Sequence, residues 1–151
     1  MRLALLVLFA VLSAPHALQA CMCIHASPKG EFKRSSAVFA GEVLSWSWDD
    51  NRARMRVIER FKGAEGDVVD VHTEGGCAYT ALQASGSRHL IYAYAREDGH
   101  LSTSVCSGSH DMRKAQCDLR LLRRHAAWWR SPLSSLRIIH WMRIFRWQAC
   151  P

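Results

Sequence analysis

The chain has 151 residues, six cysteines and a formal net charge of +7 at neutral pH. This length allows one domain with a modest core and leaves little room for a second. The charge is unevenly spread, because residues 21–112 carry 10 Lys/Arg against 12 Asp/Glu, whereas residues 113–151 carry 9 Lys/Arg against a single acidic residue. The slightly acidic first part argues against a nucleic-acid-binding domain, and the basic character belongs to the C-terminal segment.

The first twenty residues are typical of an export signal. Arg2 supplies a positive start, residues 3–12 are an uninterrupted apolar run, and Ala20 ends a small-residue cleavage site. The run is too short to span a bilayer. We therefore expect a signal peptide over 1–20, a mature chain that begins at Cys21, a domain over 21–124 and a separate basic, aromatic segment over 125–151.

The residues before Cys21, Leu18-Gln19-Ala20, also resemble a bacterial lipobox. Lipidation of Cys21 would leave an odd number of cysteines, whereas six cysteines in an exported chain are most simply paired as disulfides. Plain cleavage is therefore preferred. It predicts a periplasmic or extracellular protein, and the alternative is an outer-membrane lipoprotein anchored through Cys21.

Residues 38–105 show short segments of period-two patterning separated by turn residues. In the segment from Met55 to Phe61, apolar and polar residues alternate, which predicts a strand with one solvent-exposed face. The alternation shifts by one residue at Ile58-Glu59, as a β-bulge requires. Residues 90–95 are apolar on both faces, which predicts a central strand. Five strands are expected, at 38–48, 55–61, 69–73, 90–95 and 101–105. Their number and spacing predict an all-β protein with a small closed or partly closed barrel.

Helical spacing begins after Cys106. Ser109 is the expected N-cap, and apolar residues then recur every three or four positions, at Met112, Ala115, Leu119 and Leu122. The helix is expected to lie against the barrel.

A second, amphipathic helix is expected over 133–148. It would place Ile138, Trp141 and Phe145 on one face and arginines on the other, which is typical of contact with an anionic membrane surface. The helix could instead pack on its own domain or be a poorly ordered terminus. Base stacking by its tryptophans is not favoured, because an export signal removes the protein from most nucleic acid.

Several short motifs occur in a fixed order along the chain: the Cys-x-Cys at 21–23, then 36–43, 59–63, 76–79, 90–93 and 103–107. Together they resemble the inhibitory, netrin-like domain of the tissue inhibitors of metalloproteinases, particularly short bacterial members. The resemblance runs from Cys21 to about Leu122. It implies a five-stranded OB-like barrel with flanking helices, in agreement with the strand count.

The same resemblance implies how the cysteines pair. Cys21 would join Cys77 and Cys23 would join Cys106, which leaves Cys117 and Cys150 for each other. Bridges that close loops of this length are each expected to contribute about 3 to 4 kcal/mol in the chain-entropy view. They would attach the terminus to the barrel.

The function implied by the resemblance is protease inhibition through the new terminus. The α-amino nitrogen and carbonyl oxygen of Cys21 would bind the zinc of a target metalloprotease, and Met22 would enter the adjacent pocket, with Cys23 holding the strand. An α-amino group has a reference pKa of about 8, so near neutral pH part of it can donate a lone pair. Animal members usually carry a small hydroxylated residue at the Met22 position and have a second domain.

Other functions are weighed against this one. A cell-envelope interaction module or lipoprotein with the same fold and no inhibitory activity is the alternative. The histidines are scattered without the spacing of a zinc hydrolase, and Gly-x-Ser-x-Gly, phosphate-loop and Cys-x-x-Cys motifs are missing from the sequence. We therefore expect no enzymatic activity and no cofactor of the chain's own.

Overall fold

A computed structural model describes residues 21–24, 27–73 and 75–129. It contains two α-helices, α1 (Pro28–Arg34) and α2 (Gln116–Trp129), and a 3₁₀ helix (Thr80–Gln83). Its six strands are β1 (Ala37–Ser47), β2 (Arg52–Lys62), β3 (Val68–Thr73), β4 (Arg88–Ala95), β5 (Leu101–Thr103) and β6 (His110–Asp111).

Five of these strands close into a barrel, as the sequence predicts. The hydrogen-bonded order β1-β2-β3-β5-β4 returns to β1, because β4 also pairs with β1. All pairs are antiparallel except β3 with β5, which run parallel. The two-residue strand β6 adds to β4, and no alternation in the sequence predicts it.

The predicted bulge in β2 is confirmed. Ala40 of β1 lies opposite Glu59 and the next residue, Gly41, lies opposite Val57, so Ile58 is an extra residue on β2. Its side chain is half exposed. Bulges of this kind bend a strand and increase its twist, which helps a long strand follow a small barrel.

The apolar core has two parts, which lie on opposite faces of β1 and β4. Inside the barrel, the largest buried side chains include Phe39, Met55 and Ile91. Outside it, Leu90 and Tyr92 pack under α2 together with Val38, Ala40, Ala115, Leu119 and Leu122. Residues 89–93 of β4 are all buried, which confirms it as a central strand.

Each helix is attached to β4 by a buried carboxylate. Tyr94 Oη donates a hydrogen bond to Glu31 of α1, and Tyr92 Oη donates one to Asp118 of α2 at 3.2 Å. Both carboxylates are buried. Because an unpaired buried charge is costly, these bonds fix where each helix sits as well as how it is held.

The predicted start of α2 is wrong. Ser109 does not cap the helix; its hydroxyl is buried and accepts a hydrogen bond from the Tyr92 backbone nitrogen at 2.9 Å. The chain first pairs with β4 at His110 and Asp111, turns, and becomes helical only at Gln116. The helix then continues to Trp129, so the expected domain boundary at residue 124 falls inside it.

Some expectations concern residues outside the described ranges. The signal peptide at 1–20, the helix over 133–148 and Cys150 are among them. Of the helices that are described, none is long and apolar enough to cross a membrane.

Gly63 closes the turn after β2, and its conformation requires glycine. Its φ is +59°, and a Cβ added there would lie 2.0 Å from the Ser36 carbonyl oxygen. Gly86 also has a positive φ of +79°, but nothing lies within 4 Å of its added Cβ. An alanine at Gly86 would therefore introduce backbone strain alone, whereas an alanine at Gly63 would introduce both strain and a steric clash.

We expect Gly86→Ala to lower the free energy of unfolding by about 1 to 2 kcal/mol, the cost of a left-handed conformation for alanine. Gly63→Ala should lower it by clearly more, because the backbone must also move to relieve the clash. Urea unfolding of the two variants measures the difference. Equal losses would show that the contact with Ser36 is easily relieved.

Candidate functional site

The first described residues are bound to the barrel by two disulfides. Cys21 is joined to Cys77, with a Cα–Cα distance of 5.6 Å, and Cys23 is joined to Cys106, with a Cα–Cα distance of 5.0 Å. These are the two pairings that the resemblance implies. They bring segments 21–24, 75–79 and 103–107 together, and we call these three segments the disulfide edge.

Exposure alternates along the first segment of the disulfide edge. Cys21 and Cys23 are half-buried and turn toward the barrel, whereas Met22 is 95% exposed and Ile24 is 91% exposed. Two apolar side chains therefore project into solvent from a short stretch whose other two side chains are covalently fixed. Such a pair on an anchored segment is suited to contact with a partner.

The two loops that carry Cys77 and Cys106 are hydrogen-bonded to each other. The Val105 nitrogen donates to the Cys77 carbonyl oxygen at 3.0 Å, and Ala78 forms an isolated antiparallel bridge with Ser104. Because β3 and β5 run parallel, both loops leave the barrel at the same end. The terminus is thus bonded to a pair of loops that already support one another.

A cluster of buried hydroxyl groups holds the Cys106 loop. Thr103 Oγ1 lies 2.7 Å from Ser107 Oγ and 2.9 Å from Ser109 Oγ, and it donates to the Tyr92 carbonyl oxygen at 3.0 Å. Ser107 Oγ also donates to the Ser104 carbonyl oxygen at 2.8 Å. The Ser-rich stretch of the sequence therefore has a structural role, since it closes the turn on either side of Cys106 and fastens it to β4.

The Cys77 loop is held by a buried histidine. His89 of β4 lies with Nδ1 3.1 Å from Tyr79 Oη and Nε2 2.8 Å from Ser87 Oγ. Ser87 Oγ donates to the Ala84 carbonyl oxygen, so it accepts from His89, and Tyr79 then donates to the unprotonated Nδ1. The neutral imidazole thereby ties the loop after Cys77 to the central strand.

Burial shifts the pKa values of His89 and Tyr79 so that both favour the neutral form. It lowers the pKa of His89, against a smaller opposing effect of the Asp111 carboxylate, and it raises the pKa of Tyr79 to about 12. Both side chains are therefore neutral at neutral pH. In this state the unprotonated Nδ1 of His89 can accept the hydrogen bond that the Tyr79 hydroxyl donates.

The β1–β2 hairpin ends beside the disulfide edge. The Thr73 nitrogen, at the end of β3, donates to the Asn51 carbonyl oxygen in the hairpin turn at 2.9 Å. Trp48 in that turn is 69% exposed and packs edge-on against Trp46, with ring centroids 5.8 Å apart. Apolar surface at this end of the barrel thus extends beyond Met22 and Ile24.

A metal site requires several ligating atoms close together. No group of three or more His, Cys, Asp or Glu side chains suited to a metal ion occurs among the described residues. In a chain that begins at Cys21, the α-amino nitrogen and the carbonyl oxygen of that residue are close enough to chelate one ion. The disulfide to Cys77 uses the Cys21 sulfur and neither of these backbone groups.

Of the cysteines named from the sequence, Cys21, Cys23, Cys77 and Cys106 come together at the disulfide edge. Cys117 lies in α2 and is itself in a disulfide, and its expected partner, Cys150, lies outside the described residues. Ile24 is not among the residues expected from the sequence to form the site. The alternation that places Cys21 and Cys23 toward the barrel would have predicted its exposure together with that of Met22.

Comparison with known proteins does not assign this chain to a family. The sequence matches no protein-family model and no curated protein.

We expect the stability of the protein to fall as the pH drops below about 6.5, the ordinary pKa of histidine. Because the pKa of His89 is lowered in the folded state, the unfolded chain binds more protons over the window between the two pKa values, and the free energy of unfolding decreases there. His89→Gln should flatten this part of the profile. Urea unfolding at several pH values measures it.

Tyr79→Phe is the matched control. It removes the hydroxyl that His89 accepts from but keeps the burial that lowers the pKa, so the protein should be less stable and still depend on pH. If the profiles of the parent and His89→Gln run parallel through this window, His89 is not the group responsible.

Proposed function

We propose that this protein inhibits a zinc metalloprotease by binding the protease's metal through the Cys21 terminus. The observation that carries the proposal is the anchored segment 21–24, in which both cysteines are bonded to the barrel and the side chain between them is almost fully exposed. The resemblance to the inhibitors of metalloproteinases supports the same function. The proposal requires export and cleavage before Cys21, and the disulfides fit an oxidising, exported compartment.

Zinc chelation would use the backbone of Cys21. An amine nitrogen and the carbonyl oxygen of the same residue form a five-membered ring with a metal, and both are ordinary ligand types for zinc. Occupying two positions around the ion displaces the water that a zinc protease activates for peptide hydrolysis. The inhibitor has no scissile bond at that point, so it stays bound.

Rigidity supports tight binding. A free peptide would lose conformational entropy on entering an active-site cleft, whereas segment 21–24 is already held by two disulfides to two mutually bonded loops. Met22 would then enter the pocket beside the metal, where an unbranched thioether side chain fits a deep apolar cavity. Ile24, exposed on the same segment, would give a second apolar contact.

The alternative is an envelope interaction module without inhibitory activity, including a form lipidated at Cys21. A lipid thioether would use the Cys21 sulfur that is bonded to Cys77, so that bridge and lipidation exclude each other. The disulfide therefore favours an unmodified terminus. The intact mass of the exported protein distinguishes the two, because acyl chains add mass and the disulfides do not.

We expect one alanine added before Cys21 to abolish inhibition of the sensitive protease. The addition converts the amine into an amide that is a poor zinc ligand and places new atoms against the metal. The protein should unfold at the same temperature as the parent, because the disulfides and core are unchanged. A broad panel of zinc endopeptidases, assayed with both forms, tests this.

Two outcomes would count against the proposal. If the extended form inhibits as well as the parent, chelation by the Cys21 amine is wrong. If neither form inhibits any protease on the panel, the interaction module becomes the better explanation.

We expect Met22→Ala to weaken inhibition by roughly 1.5 to 3 kcal/mol, the value of a large apolar side chain withdrawn from a pocket. Ile58→Ala is the matched control, because Ile58 is also an exposed apolar side chain but lies at the β2 bulge, away from the disulfide edge. It should leave the inhibition constant unchanged. Equal effects of the two substitutions would show that Met22 does not occupy a pocket.

A further inference from the structure

The solvent face of α2 carries only basic charge. Arg120, Arg123 and Arg124 are exposed on it, and Arg113 and Lys114 are exposed just before the helix. The single acidic residue of the helix, Asp118, is buried against Tyr92. We call the surface formed by these five exposed side chains the basic face.

Most of the basic face is not neutralised by the rest of the domain. Arg123 forms a bidentate pair with Glu59, with distances of 3.0 and 2.7 Å to its Oε2, and Arg113 pairs with Asp111. No acidic side chain in the described part of the chain pairs with Lys114, Arg120 or Arg124. Three positive charges therefore remain uncompensated on one side of a domain that is otherwise slightly acidic.

The needs of the helix itself do not explain these charges. Cations stabilise a helix when they lie in its last turn, and the effect falls off beyond that turn. The last turn of α2, at 126–129, contains no basic residue, whereas Arg120 and Arg124 lie further inside the helix and one turn apart. Like charges at this spacing weaken a helix slightly, so their placement favours an external partner.

We propose that the basic face docks on an anionic phospholipid surface. A row of lysines and arginines within reach of a membrane attracts anionic headgroups, and each such charge strengthens binding about fivefold. The disulfides indicate an exported protein, which meets lipid surfaces and little nucleic acid. The sequence continues from α2 with four more arginines, at 130, 137, 143 and 146, so the same charge extends along the chain.

Docking through this face would hold the barrel by its helix layer. Arg123 and His125 of α2 contact Glu59 and Phe32, so the later part of the helix lies beside the final residues of β2 and beside α1. The Cys106 loop of the disulfide edge is hydrogen-bonded to the Tyr92 backbone, and the Tyr92 side chain packs under α2. The basic face and the disulfide edge are therefore both supported by β4.

This inference depends on the basic face and does not depend on zinc chelation, so either can fail without the other. The test compares two charge reversals, Arg120→Glu on the basic face and Arg54→Glu on β2. Arg54 is also exposed and without an acidic partner in the described residues, so both variants change the net charge equally. Cosedimentation of the full mature chain with phosphatidylcholine vesicles containing about one-third phosphatidylglycerol measures the partition constant.

We expect Arg120→Glu to weaken partitioning about 25-fold, two charge steps of roughly fivefold each, and Arg54→Glu to weaken it less than about twofold. Binding should also fall in about 0.5 M salt, where screening acts over a few ångströms. On the vesicles, amide hydrogen exchange should slow in residues 119–126 and not in residues 49–52, at the other end of β2 from the Glu59 contact. Arg124→Glu replaces Arg120→Glu if thermal unfolding shows that the first variant is damaged.

Three results would overturn the proposal. The two charge reversals could weaken binding equally, which would indicate net charge without a docking face. Vesicles of phosphatidylcholine alone could bind as well as the anionic ones, which would show that binding does not depend on anionic headgroups. A single-stranded oligonucleotide at the same salt could bind more tightly than the vesicles, which would make the partner a nucleic acid.

Discussion

The structure around the terminus depends on the two disulfides that join Cys21 and Cys23 to the loops after β3 and β5. Without them, four residues with two exposed apolar side chains would have little to hold them to the barrel. With them, the segment becomes part of a surface built from three chain regions that are distant in sequence. The bridges span 56 and 83 residues, so they also restrict the unfolded chain strongly.

The loops that receive these bridges are held by different polar groups. The Cys106 loop is fastened by the hydroxyls of Thr103, Ser107 and Ser109, whereas the Cys77 loop is fastened by the contact between Tyr79 and His89. Both sets of bonds lead to β4, the strand that is buried on both faces. A rigid central strand thus supports the edge through short hydrogen-bonded connections, and such support is what a preorganised binding surface requires.

Under the proposals made above, two surfaces of the protein bind partners. The disulfide edge would meet a protease, and the basic face of α2 would meet anionic lipid. The buried bonds from Glu31 and Asp118 to the tyrosines of β4 keep both helices in place.

Much of the fold could be predicted from local pattern. Period-two alternation indicated the five barrel strands, the apolar run at 90–95 indicated the central one, and a slip of phase at Ile58 indicated the bulge, because a strand's two faces impose that alternation directly on the sequence. The start of α2 could not be predicted in this way. Ser109 has the chemistry of a helix cap, but the backbone of β4 competes for its hydroxyl and for the two residues that follow, and that competitor is 17 residues away in sequence.

The candidate site, like the fold, could be predicted from the sequence only in part. The sequence by itself determined that a Cys-x-Cys follows an expected cleavage site, and the resemblance implied which cysteines it joins. Only the tertiary structure decided that Met22 and Ile24 project outward together, that a buried histidine and three hydroxyls hold the two loops, and that Asp118 is buried against Tyr92 so that the solvent face of α2 carries only basic charge. Local patterning reports which face of one element is buried, whereas these features depend on contacts between elements far apart in the chain.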